Sequence, residues 1–149
     1  MPMIVRNCSG GVVFHGEKVF LLKNEKGEWV LPKGKIRNDS LPTETALKRV
    51  KYEGGVNARI ISTAGETSYE FYSLSRKQPV CNMINWYIMV DPKGKYEINK
   101  KEGFLDGGYF DINEALQRIT YSQDKALVNL SFKKYLALRE LDELEEAYV

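Results

Sequence analysis

The segment from Pro42 to Glu53 most constrains the fold, because it reads as a helix set among strand-like runs. Proline suits the first turn of a helix, and the pair Gly54-Gly55 suits a helix end. Apolar residues at 46, 47 and 50 form a stripe at helical spacing. The chain therefore needs a sheet and at least one helix that share a core.

The order of the remaining segments sets the fold class. Strand-like runs lie at residues 10–14, 18–22, 29–32, 58–61, 67–72, 83–90 and 108–110. A short turn joins the first two runs, and residues 75–79, between 67–72 and 83–90, are typical of a turn, so each pair predicts an antiparallel hairpin. Residues 33–40 and 91–101 are polar and are expected to form loops. Asp111 is a candidate N-cap for a short helix, 112–119, and a last helix follows at about 123–145. This order predicts an α/β (α+β) fold, with a mixed β-sheet sandwiched between helices.

Length and composition exclude several classes of protein. The 149 residues suit one domain over 1–149, and the net charge of +2 favours neither a nucleic-acid nor a membrane partner. The sequence has no apolar run near 18 residues and no apolar secretion signal at its start, so we expect no membrane span. Cys8 and Cys81 are far apart and lack nearby metal-ligand partners, which favours buried thiols and a cytoplasmic location.

Residues 34–56 form a glycine–helix–glycine pattern of fixed length. The segment resembles the Nudix box, a loop–helix–loop motif written G-x5-E-x7-R-E-U-x-E-E-x-G-U, where U is a bulky aliphatic residue. The lengths match without a gap, and these residues stand at their family positions: Gly34, Val50, Glu53, Gly55 and Val56. The approach Leu31-Pro32-Lys33-Gly34 is similar to the branch acting on diadenosine polyphosphates and diphosphoinositol polyphosphates. The resemblance implies a Nudix-type fold across most of the chain.

Four positions depart from the family pattern. Ser40, Arg49 and Tyr52 stand where the motif has glutamates, and Lys48 stands where it has arginine. The resemblance implies hydrolysis of nucleoside diphosphates linked to another group, with magnesium bound by the helix carboxylates. Magnesium requires hard oxygen ligands, and the box has lost most of them.

Glu53 is the retained box glutamate and the candidate catalytic residue and metal ligand, although an isolated surface glutamate often has no such role. By resemblance, a further ligand could come from Asp106, Glu102 or Glu70. Positions 49, 52 and 53 share one helix face, which here presents Arg, Tyr and Glu. A guanidinium repels a dication, and Arg49 can also pair with Glu53.

Basic residues surround the same predicted cleft and are expected to contact phosphate: Lys33, Lys35, Arg37, Lys48 and Arg49. Trp29 and Trp86 are expected in the core, because both lie in strand-like runs. Tyr69, Phe71 and Tyr72 alternate so that at least one faces outward. His15 is the single histidine, which argues against a histidine-based mechanism.

Three functions follow from these residues. The first is a binding module for a phosphorylated, nucleotide-like small molecule that has lost hydrolysis. The second is a magnesium-dependent pyrophosphohydrolase with relocated carboxylates. The third is a protein-interaction domain that forms a homodimer through its C-terminal helix. Metal-dependent turnover separates the second function from the others, and saturable ligand binding separates the first from the third.

Overall fold

A mixed seven-stranded sheet forms the frame of the protein. The computed structural model describes residues 2–148, with side chains described through Asp142. The strands are β1 (Ile4–His15), β2 (Lys18–Lys23), β3 (Trp29–Val30), β4 (Lys33–Lys35), β5 (Arg59–Ser73), β6 (Gln78–Val90) and β7 (Asp106–Asp111). The helices are α1 (Pro42–Gly54), α2 (Ile112–Arg118) and α3 (Ser122–Tyr148), with a 3₁₀ turn at Lys100–Glu102. These elements confirm the predicted α+β class.

Strand β1 is the centre of the sheet. The main path runs β3-β2-β1-β6-β5, while β4 pairs with β1 and β7 pairs with β2. β1 and β6 are parallel along their length, from Ile4 opposite Val80 to Phe14 opposite Val90. The predicted hairpins β1–β2 and β5–β6 are both present and antiparallel.

Several strand predictions were incomplete, and three of them bear on the site. β1 begins six residues before the predicted start at Gly10, because residues 4–9 also pair with β6. The two runs predicted at 58–61 and 67–72 form one strand, β5, whose register shifts lie between Ile60 and Ser62 and between Thr63 and Gly65. Residues 33–35, predicted as loop, form β4 against β1.

Two apolar clusters lie on opposite faces of the sheet. Between the sheet and helices α2 and α3, Phe14, Trp86 and Val128 are buried, and Trp29 packs against them while partly exposed. Between the sheet and α1, Phe20 and Met89 pack with three residues of the box segment: Ala46, Val50 and Val56. The helices therefore sandwich the sheet as predicted. None of the helices among residues 2–148 is long and apolar enough to cross a membrane.

The box helix forms where the sequence predicts it. α1 begins at Pro42 and ends where Gly55 takes a left-handed conformation, with φ of 64°, and donates its N–H to the Lys51 carbonyl. Asp111 occupies the N-cap position of α2 as predicted, but its side chain makes no cap hydrogen bond. The loop after β6 contains the 3₁₀ turn and packs on the end of α1 through two hydrogen bonds, Glu97 N–H to the Gly54 carbonyl and Asn99 N–H to the Glu53 carbonyl.

Candidate functional site

The box helix and β4 meet at Gly34. Strand alternation turns Gly34 toward α1, and the side chain of Arg49 lies directly on its Cα. A Cβ at this position would stand 2.4 Å from Arg49 Nε and 2.5 Å from Arg49 Cδ. Glycine therefore opens the space that the Arg49 side chain occupies.

Glu53 is buried and fully engaged. Its relative exposure is 5%, so the alternative of an isolated surface glutamate does not apply. Oε2 accepts a 2.5 Å hydrogen bond from Arg49 Nη2, and Oε1 accepts a 3.1 Å hydrogen bond from the Lys33 N–H. Burial raises the pKa of Glu53, while the Arg49 guanidinium and the Lys33 N–H partly oppose that rise. The predicted i, i+4 ion pair is present, and it occupies the retained box carboxylate.

Tyr52 forms a hydrogen bond with a second carboxylate, that of Glu102. Its hydroxyl donates to Glu102 Oε2 over 2.8 Å, and the Arg49 guanidinium lies 5.0 Å from the centre of its ring. The hydrogen bond to Glu102 raises the pKa of the Tyr52 phenol. Glu102, an expected late metal ligand, is therefore near the box but paired with a neutral group.

The other expected ligands lie elsewhere. Asp106 is exposed at the start of β7, where its carboxylate accepts the Gly107 N–H. Glu70 lies between Tyr69 and Phe71 in β5, and because those two rings face a cavity, Glu70 points to the opposite side of the strand. Among the described side chains, no three acidic, histidine or cysteine residues lie close enough to hold a metal. This set of donors does not fit magnesium.

A cavity of about 640 Å³ opens beside the box, between the sheet and the start of α3. Trp86 forms part of its floor and donates its Nε1–H to Thr67 Oγ1 over 2.7 Å. Tyr69 and Phe71 stack with ring centres 5.6 Å apart, and Tyr121 lies 6.0 Å from Tyr69. The alternating aromatic residues of β5 thus supply one wall of the cavity.

Acidic groups occupy one part of the cavity. Tyr121 donates a short hydrogen bond to Glu28, which lowers the pKa of Glu28 and raises that of Tyr121 to about 12. Asp124, in the first turn of α3, is half-buried, and burial raises its pKa against the opposing charge of Lys33. Sequence reasoning missed all three residues, since nothing in the local sequence connects the start of α3 with the β2–β3 turn.

The five expected phosphate-binding residues are not gathered into one cluster. Lys33 lines the cavity, and alternation along β4 puts Lys35 on the same side of the strand. Arg49 lies on the other side, against Glu53. Lys48 is exposed on α1, and Arg37 is exposed beyond the end of β4.

The comparisons with known proteins agree with this fold. The model of the NUDIX domain family matches residues 3–130. The chain belongs to the Nudix family. The match covers the sheet, the box helix and the beginning of α3, so every residue of the site described above lies within the Nudix domain.

Three solved structures illustrate the shared Nudix fold. The Escherichia coli dihydroneopterin triphosphate pyrophosphohydrolase has a TM-score of 0.68 at 13% identity, covering 84% of this chain and 94% of that one. The MutT protein of Methanosarcina mazei Go1 has 0.67 at 14%, covering 91% and 98%. A Caenorhabditis elegans Ap4A hydrolase complex has 0.66 at 15%, covering 89% and 98%. At these identities the likeness shows the fold alone.

Proposed function

We propose that this Nudix domain binds a phosphorylated, nucleotide-like small molecule and hydrolyses it slowly or not at all. The Arg49–Glu53 ion pair carries the proposal, because it places a cation where the family resemblance puts a metal ion. The Arg49 guanidinium stays protonated at working pH. Deprotonation of Arg49 therefore does not free the Glu53 carboxylate to bind a metal. Losing one well-placed electrostatic contribution costs about 10² to 10³ in turnover, and three box glutamates are replaced.

The cavity supports the binding half of the proposal. Small-molecule sites enclose about 300–1,000 Å³ and are lined mainly by apolar and aromatic side chains. This cavity has about 640 Å³ and combines Trp86, Tyr69 and Tyr121 with the charged side chain of Lys33. Aromatic surfaces suit a planar ring, and the ammonium of Lys33 suits phosphate.

A hydrolase with relocated carboxylates is the second candidate. The observation in its favour is that four acids line the cavity: Glu25, Glu28, Glu102 and Asp124. Two of them already receive a phenol hydrogen bond, Glu28 from Tyr121 and Glu102 from Tyr52. A metal bound by these carboxylates would compete with both phenol hydrogen bonds for their lone pairs.

Calorimetric titration distinguishes the two candidates. The probes are ATP, a nucleoside diphosphate sugar and diadenosine tetraphosphate, each in chelator and in excess magnesium. We expect micromolar binding of at least one probe in both buffers, with no turnover approaching the roughly 10 per second of a typical enzyme. Binding that occurs only in excess magnesium would favour the hydrolase. So would turnover of roughly 10 per second that Glu53→Gln abolishes.

Restoration of the box tests the same proposal from the other side. Ser40→Glu, Arg49→Glu and Tyr52→Glu together return the three missing carboxylates. We expect magnesium-dependent hydrolysis to appear in this variant and to disappear when Glu53→Gln is added. A wild-type protein already as active as the restored variant would contradict the proposal.

We also propose a cytoplasmic location. Cys8 and Cys81 are both free and buried, which suits a reducing compartment.

A further inference from the structure

Three cations share one side of the sheet beside the cavity. In the antiparallel pairing of β4 with β1, Lys33 lies opposite Gly10 and Lys35 lies opposite Cys8. Arg6 is two residues before Cys8 on β1, so strand alternation gives it the same side as Cys8. A Cβ on Gly10 would contact both Lys33 Cβ and the Trp86 ring, which identifies this side as the cavity side.

Arg6 is anchored to the cavity wall. Its Nε donates to Asn82 Oδ1 over 3.0 Å, and its guanidinium carbon lies 5.4 Å from the centre of the Phe71 ring. Asn82 and Phe71 both line the cavity. The guanidinium is therefore held at the edge of the cavity by a hydrogen bond and by an aromatic face, while its terminal nitrogens remain able to donate.

Among the described side chains, the three charges act on one buried group, and none of them is in a salt bridge. Arg6, Lys33 and Lys35 all act to lower the pKa of the Cys8 thiol, although burial raises it by more. Within residues 2–142, the salt bridges are Arg49–Glu53, Arg118–Glu114 and Arg139–Glu17, and none includes these three cations. Like charges held together at a partly buried site repel one another, so an anion placed among them is favoured.

The rest of the cavity is mainly acidic. Glu25, Glu28, Glu102 and Asp124 line it together with Lys26, near the β2–β3 turn and the start of α3. On the box helix, the guanidinium of Arg49 is directed to Glu53. A ligand with a ring and a phosphate chain is therefore oriented by charge, with its phosphates toward β1 and β4.

We propose that Arg6, Lys33 and Lys35 form the phosphate-binding subsite, on the cavity side of β4. The box helix does not hold the phosphates. This inference rests on the proposed function, because it positions the same ligand. Of the five residues expected to contact phosphate, the subsite keeps Lys33 and Lys35. It leaves out Arg37, Lys48 and Arg49 and adds Arg6, a residue outside the box. It also accounts for binding without magnesium, because the phosphate charge is met by protein cations.

Matched single substitutions test the position of the subsite. The probes are ATP and inorganic tripolyphosphate, titrated by calorimetry in chelator. Lys35→Gln and Lys48→Gln each remove one exposed lysine charge, one on the cavity side of β4 and one on the box helix. Lys93→Gln removes an exposed lysine from the loop after β6 and serves as the neutral control.

We expect Lys35→Gln to weaken the binding of both probes by about tenfold, as for the loss of one charged hydrogen bond. Lys48→Gln and Lys93→Gln are expected to change them by less than about twofold.

Arg6→Gln is the second variant. Glutamine retains a donor for Asn82 and removes the charge, so we expect at least about tenfold weaker binding of both probes. The melting temperature of each unliganded variant is measured first. If Arg6→Gln does not fold, Lys35→Gln decides the question, because no described partner holds its side chain.

Each outcome has a separate meaning. If the wild-type protein binds none of the three probes, ATP, the nucleoside diphosphate sugar and diadenosine tetraphosphate, both the proposed function and the subsite are overturned. Wild-type binding that is weakened by Lys48→Gln but not by Lys35→Gln leaves the proposed function standing and overturns the subsite. Equal effects of Lys35→Gln and Lys93→Gln also overturn it, since the attraction would then be unspecific. Tripolyphosphate binding that follows the ATP pattern supports a site for the phosphates themselves.

Discussion

At the scale of single residues, the Arg49 side chain does two things at once: it fills the space above Gly34 and neutralises a buried carboxylate. A buried ion pair is weak evidence for net stability, but removing one partner is costly because the other charge stays buried. The consequences of displacing Arg49 can therefore be measured in the folded domain.

Gly34→Ala should destabilise the protein by about 2–4 kcal/mol. The new Cβ would lie within 2.7 Å of three Arg49 side-chain atoms, so the arginine must leave Glu53. Urea denaturation of a double-mutant cycle with Arg49→Ala checks the cause. In the Arg49→Ala background the same glycine substitution should cost less than about 1 kcal/mol. An undiminished cost there would show that the strain comes from another contact.

Asp124→Asn should raise the melting temperature at neutral pH and have a smaller effect in acid. Burial raises the pKa of Asp124, so the folded state binds this proton more readily than the unfolded state. The stability from this group is therefore present below the ordinary carboxyl pKa and is lost as pH rises through the raised one. The helix dipole favours a charge in the first turn of α3, but the net pKa shift is upward.

Thermal melts of wild type and Asp124→Asn at about pH 4 and about pH 7 measure this difference. Asp39→Asn is the control, because Asp39 is exposed and asparagine tolerates its left-handed φ of 71°. A destabilising effect of Asp124→Asn at neutral pH would contradict the assignment of burial as the dominant cause.

The sequence alone predicts side-chain contacts between residues that are close in the chain. Arg49 and Glu53 are one helical turn apart, so their contact follows from helix geometry. Tyr121 and Glu28 are 93 residues apart, and Arg6 and Asn82 are 76 apart. These contacts depend on strand order and register, which local patterns do not specify. The burial of Glu53 was missed for the same reason, since β4 covers it.

At the scale of elements, the end of α1 is a junction between the box helix and the loop after β6. Gly55 has φ of 64°, and a Cβ on it would lie 2.7 Å from the Glu97 nitrogen. The same loop donates two hydrogen bonds to the last carbonyls of α1. Substitutions here affect the helix end and the loop together.

Gly55→Ala should cost about 2–4 kcal/mol, compared with about 1–2 kcal/mol for Gly16→Ala. Gly16 has φ of 60° in the β1–β2 turn, but a Cβ on it meets nothing within 4 Å. Both variants carry the left-handed strain, so the difference isolates the contact with Glu97. Chemical denaturation measures it, and equal costs would mean that the loop moves aside freely.

Element prediction succeeded where the signal is local and failed where pairing decides. The helix α1 follows from a first-turn proline and a closing glycine, both visible in the sequence. β4 is three residues of Lys-Gly-Lys, which have low strand propensity and become a strand because β1 offers them hydrogen-bonding partners. The continuity of β5 across its register shifts depends in the same way on β6.

At the scale of the whole molecule, Tyr135 connects the last helix to the first hairpin. Its ring stacks on Phe14 with centres 4.5 Å apart, and its hydroxyl donates to the Gly16 carbonyl over 2.8 Å. The residue is 5% exposed. The contact spans 119 residues, so it links opposite ends of the folded chain.

Tyr135→Ala should cost about 3–5 kcal/mol, and Tyr135→Phe, which keeps the ring, less than about 1.5 kcal/mol. Because this cluster includes the sheet and two helices, we expect one cooperative unfolding transition. The fluorescence of Trp29 and Trp86 and far-ultraviolet circular dichroism should report the same midpoint. Separate midpoints would contradict the prediction of a single domain.

The parallel pairing of β1 with β6 also has a consequence for biosynthesis. Ile4 meets Val80, so the strand that pairs with the other edge of β1 is made 76 residues later. At about 5–20 residues per second, roughly 4–15 s separate the two strands on the ribosome. During that interval one edge of β1, with its apolar residues Val12, Val13 and Phe14, has no partner strand. The yield of soluble protein in cells therefore depends on how fast β6 is delivered, independently of how stable the finished domain is.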